Sequence, residues 1–249
     1  MFKVFLPLFF LITSLVNAQV QKIETNEGLL TIQPVLHSSL ILEWDGLTIY
    51  VDPYGGGDKY SEMEYPDLIL ITDIHGDHLN IETLKEVNTE DATIIAPKAV
   101  IDQMGDAVKA KEVTALSNGS KTIWERITIE AIPMYNLPET EDSRHPKGRG
   151  NGYVLTIGGK KLYISGDTED IKEMRNLKKI DIAFICMNLP YTMDINQAAD
   201  AVLDFKPKIV YPFHYRGGEG KFSDTQKFKE LVNSKNKKID VRLLDWYAQ

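Results

Sequence analysis

Residues 67–72, DLILIT, are apolar nearly throughout, the pattern of a strand buried on both faces rather than on one. Such a strand needs covering layers on either side, which restricts the chain to a layered arrangement of sheet and helix. The run ends abruptly in a polar cluster, Asp73 to His78, that holds two of the chain's five histidines beside two carboxylates.

The surroundings of this strand are legible from their periodicity. Between Leu29 and Val51 the short runs LLTIQPVL, SLILEW and LTIYV, with Asp45-Gly46 as a turn, predict an antiparallel hairpin arrangement. After DLILIT the pattern predicts a helix over 81–87 capped by Asn80, a strand TIIA, a helix over 98–104, and strands VTAL, KTIW and ITIEAIPM. The stretch NLPETEDSRHPKGRGN, 136–151, is rich in Pro, Gly and charge and reads as a long loop, either disordered or lining a site.

The second half repeats the theme with strands GYVLTIG and KLYIS, a helix over 169–177, strand IDIAFIC, a helix over 195–205, strand KIVYPF, helix DTQKFKELVN and a last strand VRLL. Ile195, Ala198, Ala199, Val202, Leu203 and Phe205 give the second of these helices one apolar face. The expected fold class is α/β: a four-layer αββα sandwich of two mixed sheets with helices on the outer faces, formed by one domain over residues 19–249.

The amino terminus, MFKVFLPLFFLITSLVNA, has one charge, an apolar run too short to span a bilayer, and a small-residue ending. It reads as a signal peptide over residues 1–18, cleaved before Gln19, so that the mature chain is periplasmic or secreted. No stop-transfer cluster follows it, which argues against an uncleaved anchor, and no other segment predicts stable membrane insertion. Cys186 is the only cysteine, so no internal disulfide forms; its apolar surroundings, IDIAFICM, predict a buried, inert thiol. The formal net charge of -8 and the lack of a dense basic stripe exclude nucleic acid as a partner.

The remaining candidate groups fall where DIHGDH falls, just past strand ends. Asp167 follows KLYIS through Gly166, and His214 follows KIVYPF. Layered α/β proteins gather ligands at these positions, because strands hold the loop residues rigidly and leave them open to solvent. Imidazole and carboxylate together suit a divalent metal, most readily zinc, with manganese or iron as alternatives. Turn formation alone would account for the Asp and Gly of the cluster, but not for the order in which Asp167 and His214 follow it.

These blocks carry a resemblance. TDIHGDHL resembles the HxHxDH signature of the metallo-β-lactamase superfamily, and HSSLILEWDGLTIYVDPY, HPKGRGNGY, SGDT and YPFHY resemble the other blocks of its small metal-dependent hydrolases, in the ascorbate-phosphate lactonase-like and phosphodiesterase-like branch. The similarity runs from about Leu29 to Leu244. It implies one metal held by Asp73, His75 and His145, with Asn136 as the alternative to His145, and a second held by Asp77, His78 and His214. Asp167 would bridge them. Asp73 departs from the family, which usually has histidine there; the added negative charge favours harder ions or single-metal occupancy. His37 would lie near the site without ligating, and Asp52 would bond either ligand histidines or neighbouring backbone.

The resemblance implies an exported hydrolase in which a metal-bound hydroxide cleaves an ester, lactone or phosphodiester, with Asp77 and His78 at the catalytic centre and Asp77 orienting the hydroxide or passing a proton to the leaving group. No GxSxG elbow supports a serine nucleophile. The expected partner is a small-molecule substrate, an anionic one being favoured if Arg144, Lys147, Arg149 or Arg216 faces it. YGGGDK lacks the order of a phosphate loop and predicts a flexible rim. The competing reading, motivated by Asp73, is a catalytically silent exported protein that binds metal or ligand on the same scaffold.

Overall fold

The alternating runs near the start form a meander. In the computed structural model, which describes residues 20–248, β1 (Gln21–Thr25), β2 (Gly28–Leu36), β3 (Ser39–Trp44) and β4 (Leu47–Val51) pair antiparallel. From β4 onward the pairing becomes parallel through β5 (Leu68–Leu70), β6 (Thr93–Ala96) and β7 (Glu112–Ala115). Parallel neighbours need crossovers, and α1 (Ile81–Glu86) and α2 (Lys98–Met104) supply two of them.

The second half is built on the same plan. β8 (Lys121–Trp124), β9 (Ile127–Met134), β10 (Gly150–Ile157) and β11 (Lys160–Ile164) are antiparallel, and β12 (Ile182–Cys186), β13 (Ile209–Phe213) and β14 (Asp240–Val241) extend the sheet in parallel. Three helices make its crossovers: α3 (Lys172–Arg175), α4 (Ile195–Phe205) and α5 (Thr225–Lys235). Each sheet has seven strands in chain order. Asn80 caps α1 by accepting from the Thr83 backbone, and Asp194 with Gln197 forms a capping box on α4.

Side-chain alternation sorts the core into layers. Leu68 and Leu70 turn inward with Leu40, Leu42 and Trp44, into the same apolar cluster as Ile129, Leu155 and Leu162 of the second sheet. Ile69 and Ile71 turn outward with Ile41, beneath Leu84, Val100 and Met104. The central strand is therefore covered on both faces, and the architecture is the expected sandwich of two mixed sheets with helices outside.

Three local expectations change. The helix over 169–177 shrinks to α3, because Glu169 N–H donates to Tyr135 O instead and Asp170 receives Arg175 at 2.5 Å. The last strand is Asp240–Val241 rather than VRLL; beyond it the chain leaves the sheet and Trp246 packs against Phe184 and Phe213. The glycines after Tyr54 form no free rim: Gly56 N–H donates to Thr83 Oγ1 at 2.9 Å and Gly57 N–H to Glu86 Oε2 at 2.5 Å, which ties them to α1. The segment read as a signal peptide lies outside the described residues. Among those described, no helix is long and apolar enough to cross a membrane.

Candidate metal centre

The two sheets are joined at the ends where the ligand candidates sit. His214 N–H donates to His37 O at 3.1 Å, and Asn151 N–H donates to Thr72 O at 2.9 Å, so the residues following β2, β5 and β13 are fixed relative to one another. Gly166 delivers Asp167 into the same space. At its φ of +60°, a Cβ would stand 2.6 Å from Met134 Sδ and 3.1 Å from Asn151 O, so the turn has room for glycine alone. His37, Asp52 and His214 also adopt positive φ, at 55°, 44° and 44°, a concentration of backbone strain around one site.

Neighbouring groups fix the rings. Asp52 Oδ1 accepts from Thr72 N–H at 2.7 Å, and its Oδ2 accepts from Thr72 Oγ1 at 2.6 Å and from His78 Nδ1 at 2.7 Å. In its neutral form His78 keeps its proton on Nδ1 for Asp52 and turns the lone pair of Nε2 inward. Asn136 does the same for His145, whose Nδ1 donates to Asn136 Oδ1 at 3.0 Å. Asn136 thus supports His145 rather than replacing it.

The inward atoms converge on Asp167. Its Oδ2 lies 3.4 Å from His78 Nε2 and 3.3 Å from His145 Nε2, while Oδ1 lies 3.3 Å from His214 Nε2. His214 Nε2 is also 3.3 Å from Asp77 Oδ2. On the other flank His75 Nδ1 is 2.7 Å and His145 Nε2 4.0 Å from Asp73 Oδ2. Three groups of potential ligand atoms each lie within 4.8 Å: Asp73, His75 and His145; His78, Asp167 and His214; and His37, Asp77 and His214. Asp73, His75, Asp77, His78, His145, Asp167 and His214 all meet in this one region.

Four buried atoms here, His75 Nδ1, His78 Nε2, His145 Nε2 and Asp167 Oδ1, have no hydrogen-bond partner of acceptable geometry. Unsatisfied buried polar atoms are costly, and a cluster of them aimed at one another is what a cation site leaves when only its ligands are considered. The donor set of neutral imidazoles and carboxylates fits a divalent metal.

Electrostatics keep the carboxylates ionised. Burial alone would raise Asp167, but the charges of His214 and His78 overcome it and hold the carboxyl well below the ordinary range. Asp77 behaves alike: burial is outweighed by its hydrogen bond to His214 and the charge of His78. His78 is raised well above 6.5, because Asp167 and Asp52 outweigh the burial that opposes its charge.

Other residues take clear positions. His37 Nε2 accepts from Arg216 Nη2 at 2.5 Å, and its Nδ1 sits 3.3 Å from Tyr247 Oη and 3.4 Å from His214 Nδ1. Both nitrogens are occupied by protein, so His37 supports His214. Burial, followed by the charges of His214 and Arg216, lowers it to about 4. Of the basic residues proposed to meet substrate, Arg149 is spent on Asp73 and Lys147 on Glu139 at 3.1 Å. Arg144 and Arg216 instead line a cavity of about 320 Å3 whose floor includes Asp77, Asp167 and His214. The loop expected to meet substrate from Asn188 onward does line this cavity; sequence reasoning missed Thr72 and Tyr247. Thr72 alone had a signal, standing directly before Asp73 at the strand end.

Comparisons with known proteins bear on the family and the fold. A family model described as "Beta-lactamase superfamily domain" matches residues 31–214. A metal-dependent hydrolase of Thermococcus onnurineus is 30% identical over 203 residues, covering 78% of this chain and 88% of its own length. One from Pyrococcus abyssi is 28% identical over 203 residues, with coverage of 78% and 88%. A crystal structure described as a metal-dependent hydrolase from Parabacteroides distasonis superposes with a TM-score of 0.79 at 40% identity, over 92% of this chain and 99% of that one. A metallo hydrolase from the archaeon Ignicoccus hospitalis shares the fold, with a TM-score of 0.72 at 24% identity over 87% and 95% of the two chains.

Proposed function

The chain belongs to the β-lactamase superfamily, and from that premise we propose that it is an exported hydrolase that cleaves an ester, lactone or phosphodiester bond in a small molecule. That it is a metal-dependent hydrolase of the metallo-β-lactamase type rests on its relatives. The observation that carries the reading to particular residues is the convergence of unsatisfied His75, His78 and His145 nitrogens around Asp73 and Asp167.

In this reading Asp73, His75 and His145 hold one cation, Asp77, His78 and His214 hold the other, and Asp167 faces both. Zinc suits the donor set best, with manganese or iron as alternatives. A bound divalent cation supplies Lewis acidity, making water nucleophilic near neutral pH and polarising the oxygen under attack. The protein's own groups do the rest. Asp52 and Asn136 keep the lone pairs of His78 and His145 directed inward. Asp77, with its side chain 34% exposed on the cavity floor, orients the attacking water by accepting a hydrogen bond. Its carboxyl is held below the ordinary range and is ionised near neutral pH, so it carries no proton to give a leaving group. Cys186 is buried and takes no part.

Metal analysis of the purified protein, joined to a panel of ester, lactone and phosphodiester substrates with and without chelator, tests the proposal. Copurifying metal and chelator-sensitive turnover are expected; absence of both would overturn it. Export rests on the apolar run and small-residue ending of residues 1–18. Amino-terminal sequencing of protein recovered from the producing cells should begin at Gln19.

A further inference from the structure

We propose that the substrate carries an anionic group besides the bond that is cut, a carboxylate or a phosphate, and that Arg144 and Arg216 bind it at the wall of the metal cavity. The assignment rests on the hydrolase reading above and names its substrate class.

Most of the arginines spend their charge on carboxylates. Arg126, Arg149, Arg175 and Arg242 each pair with a carboxylate. The two others, Arg144 and Arg216, have no carboxylate within salt-bridge distance among the described residues, although acidic side chains outnumber basic ones by 36 to 28. Both line the same cavity of about 320 Å3. In an acidic chain, two unpaired guanidinium groups facing one small cavity imply a partner that the chain itself does not supply.

Their presentation is that of a prepared anion site. Arg144 lies over the Tyr191 ring, 4.2 Å from its centroid, and Arg216 over Tyr247 at 5.2 Å. Both guanidinium groups lie within cation–π distance of an aromatic ring, which holds them at the cavity while N–H groups not bonded to protein remain to donate to an anion. Arg216 is held further by the bond from its Nη2 to His37. Asp77 and Asp167 share the cavity, but both lie against His214 at 3.3 Å and are committed to the metal side. The volume accommodates a small molecule with its scissile bond over Asp167 and its anion between the arginines.

Isothermal titration of the zinc-loaded protein with succinate, inorganic phosphate and uncharged succinamide tests this. Both anions are repeated on chelator-treated protein, because phosphate also binds metal directly. At least one anion should bind in both states, and weaken roughly tenfold or more in Arg144→Gln and in Arg216→Gln, with Arg216→Lys keeping part of the affinity. Succinamide should bind no better to the parent than to the variants. Which anion binds more tightly distinguishes a carboxylate from a phosphate substrate. Arg144 bonds none of the ligand candidates, so its variant reports on anion binding even if Arg216→Gln disturbs His37. Unchanged anion affinity in both glutamine variants would overturn the proposal. So would a change in zinc content with anion binding intact, since the arginines would then serve only to balance the metal site's charge. Anion binding that persists in a protein without chelator-sensitive turnover would instead remove the hydrolase reading and leave the anion site standing.

Discussion

Arg149 grips both carboxylate oxygens of Asp73, Nε to Oδ1 at 3.1 Å and Nη2 to Oδ2 at 2.9 Å. The pair is neutral as a whole, as a histidine is, so the carboxylate that stands in the cluster adds no net charge to it. Burial would raise the Asp73 carboxyl, but the close approach of His75 Nδ1 at 2.7 Å and the charges of His78 and Arg149 keep it below the ordinary range. Arg149→Gln removes the two-point guanidinium partner of a fully buried carboxylate. Metal-free protein should lose about 2–3 kcal/mol of stability, a value reduced for the partly exposed guanidinium. A divalent cation should restore much of it. Urea denaturation with chelator and with zinc measures both, and an equal loss in the two conditions would mean that the pair is purely architectural.

Asp52 acts on metal through His78. Replacing it with alanine frees His78 Nδ1 from the bond at 2.7 Å and lets the ring turn. Metal affinity should fall about 10–100-fold, as measured by competition against a chelating dye. Unchanged affinity would show that packing alone orients the ring.

Protons and metal compete at this site. In metal-free protein His78 is raised well above 6.5, so cation binding displaces its proton and affinity should climb as pH rises through neutrality. Titrations in buffers of different ionisation enthalpy would count the released proton. For stability without metal the sign reverses: the contribution of His78 is full below its unfolded pKa of about 6.5 and is lost as pH rises through the higher folded value. Asp77 and Asp167 are depressed, so theirs is present above the unfolded carboxylate pKa of about 3.9 and is lost as pH falls below it. Chemical denaturation of metal-free protein across pH should therefore find these groups most stabilising between about pH 4 and 6.5.

Gly166 sets the position of Asp167. Gly166→Ala forces a Cβ toward Met134 Sδ and Asn151 O at positive φ, and should cost about 1–3 kcal/mol while reducing metal content. Denaturation and elemental analysis together would detect it; loss of stability with full metal content would separate the turn from the site.

Cys186 should be silent in the folded protein. Burial, followed by the charge of Asp167, pushes its thiol up to about 11. A thiol reagent at pH 8 should label it only as fast as the protein unfolds, whereas rapid labelling of native protein would place it within solvent reach.

Much of the fold was legible in the chain itself. The doubly apolar DLILIT, the alternating hairpin segments and the capping residue Asn80 are local signals, and they produced the corresponding elements. The ends of α3 and β14 were not legible. They depend on the bond between Glu169 and Tyr135 and on the docking of Trp246, contacts made across the fold.

The site divides in the same way. The sequence by itself determined which side chains stand past strand ends, because strand periodicity and the flanking residues are properties of neighbours along the chain. Only the tertiary structure decided that Asn136 supports His145, that Arg149 is spent on Asp73, and that Arg144 and Arg216 keep their charge for the cavity. The physical reason is that a side chain's partner is fixed by distance and burial between segments far apart in sequence, and composition cannot say which carboxylate a given arginine will meet.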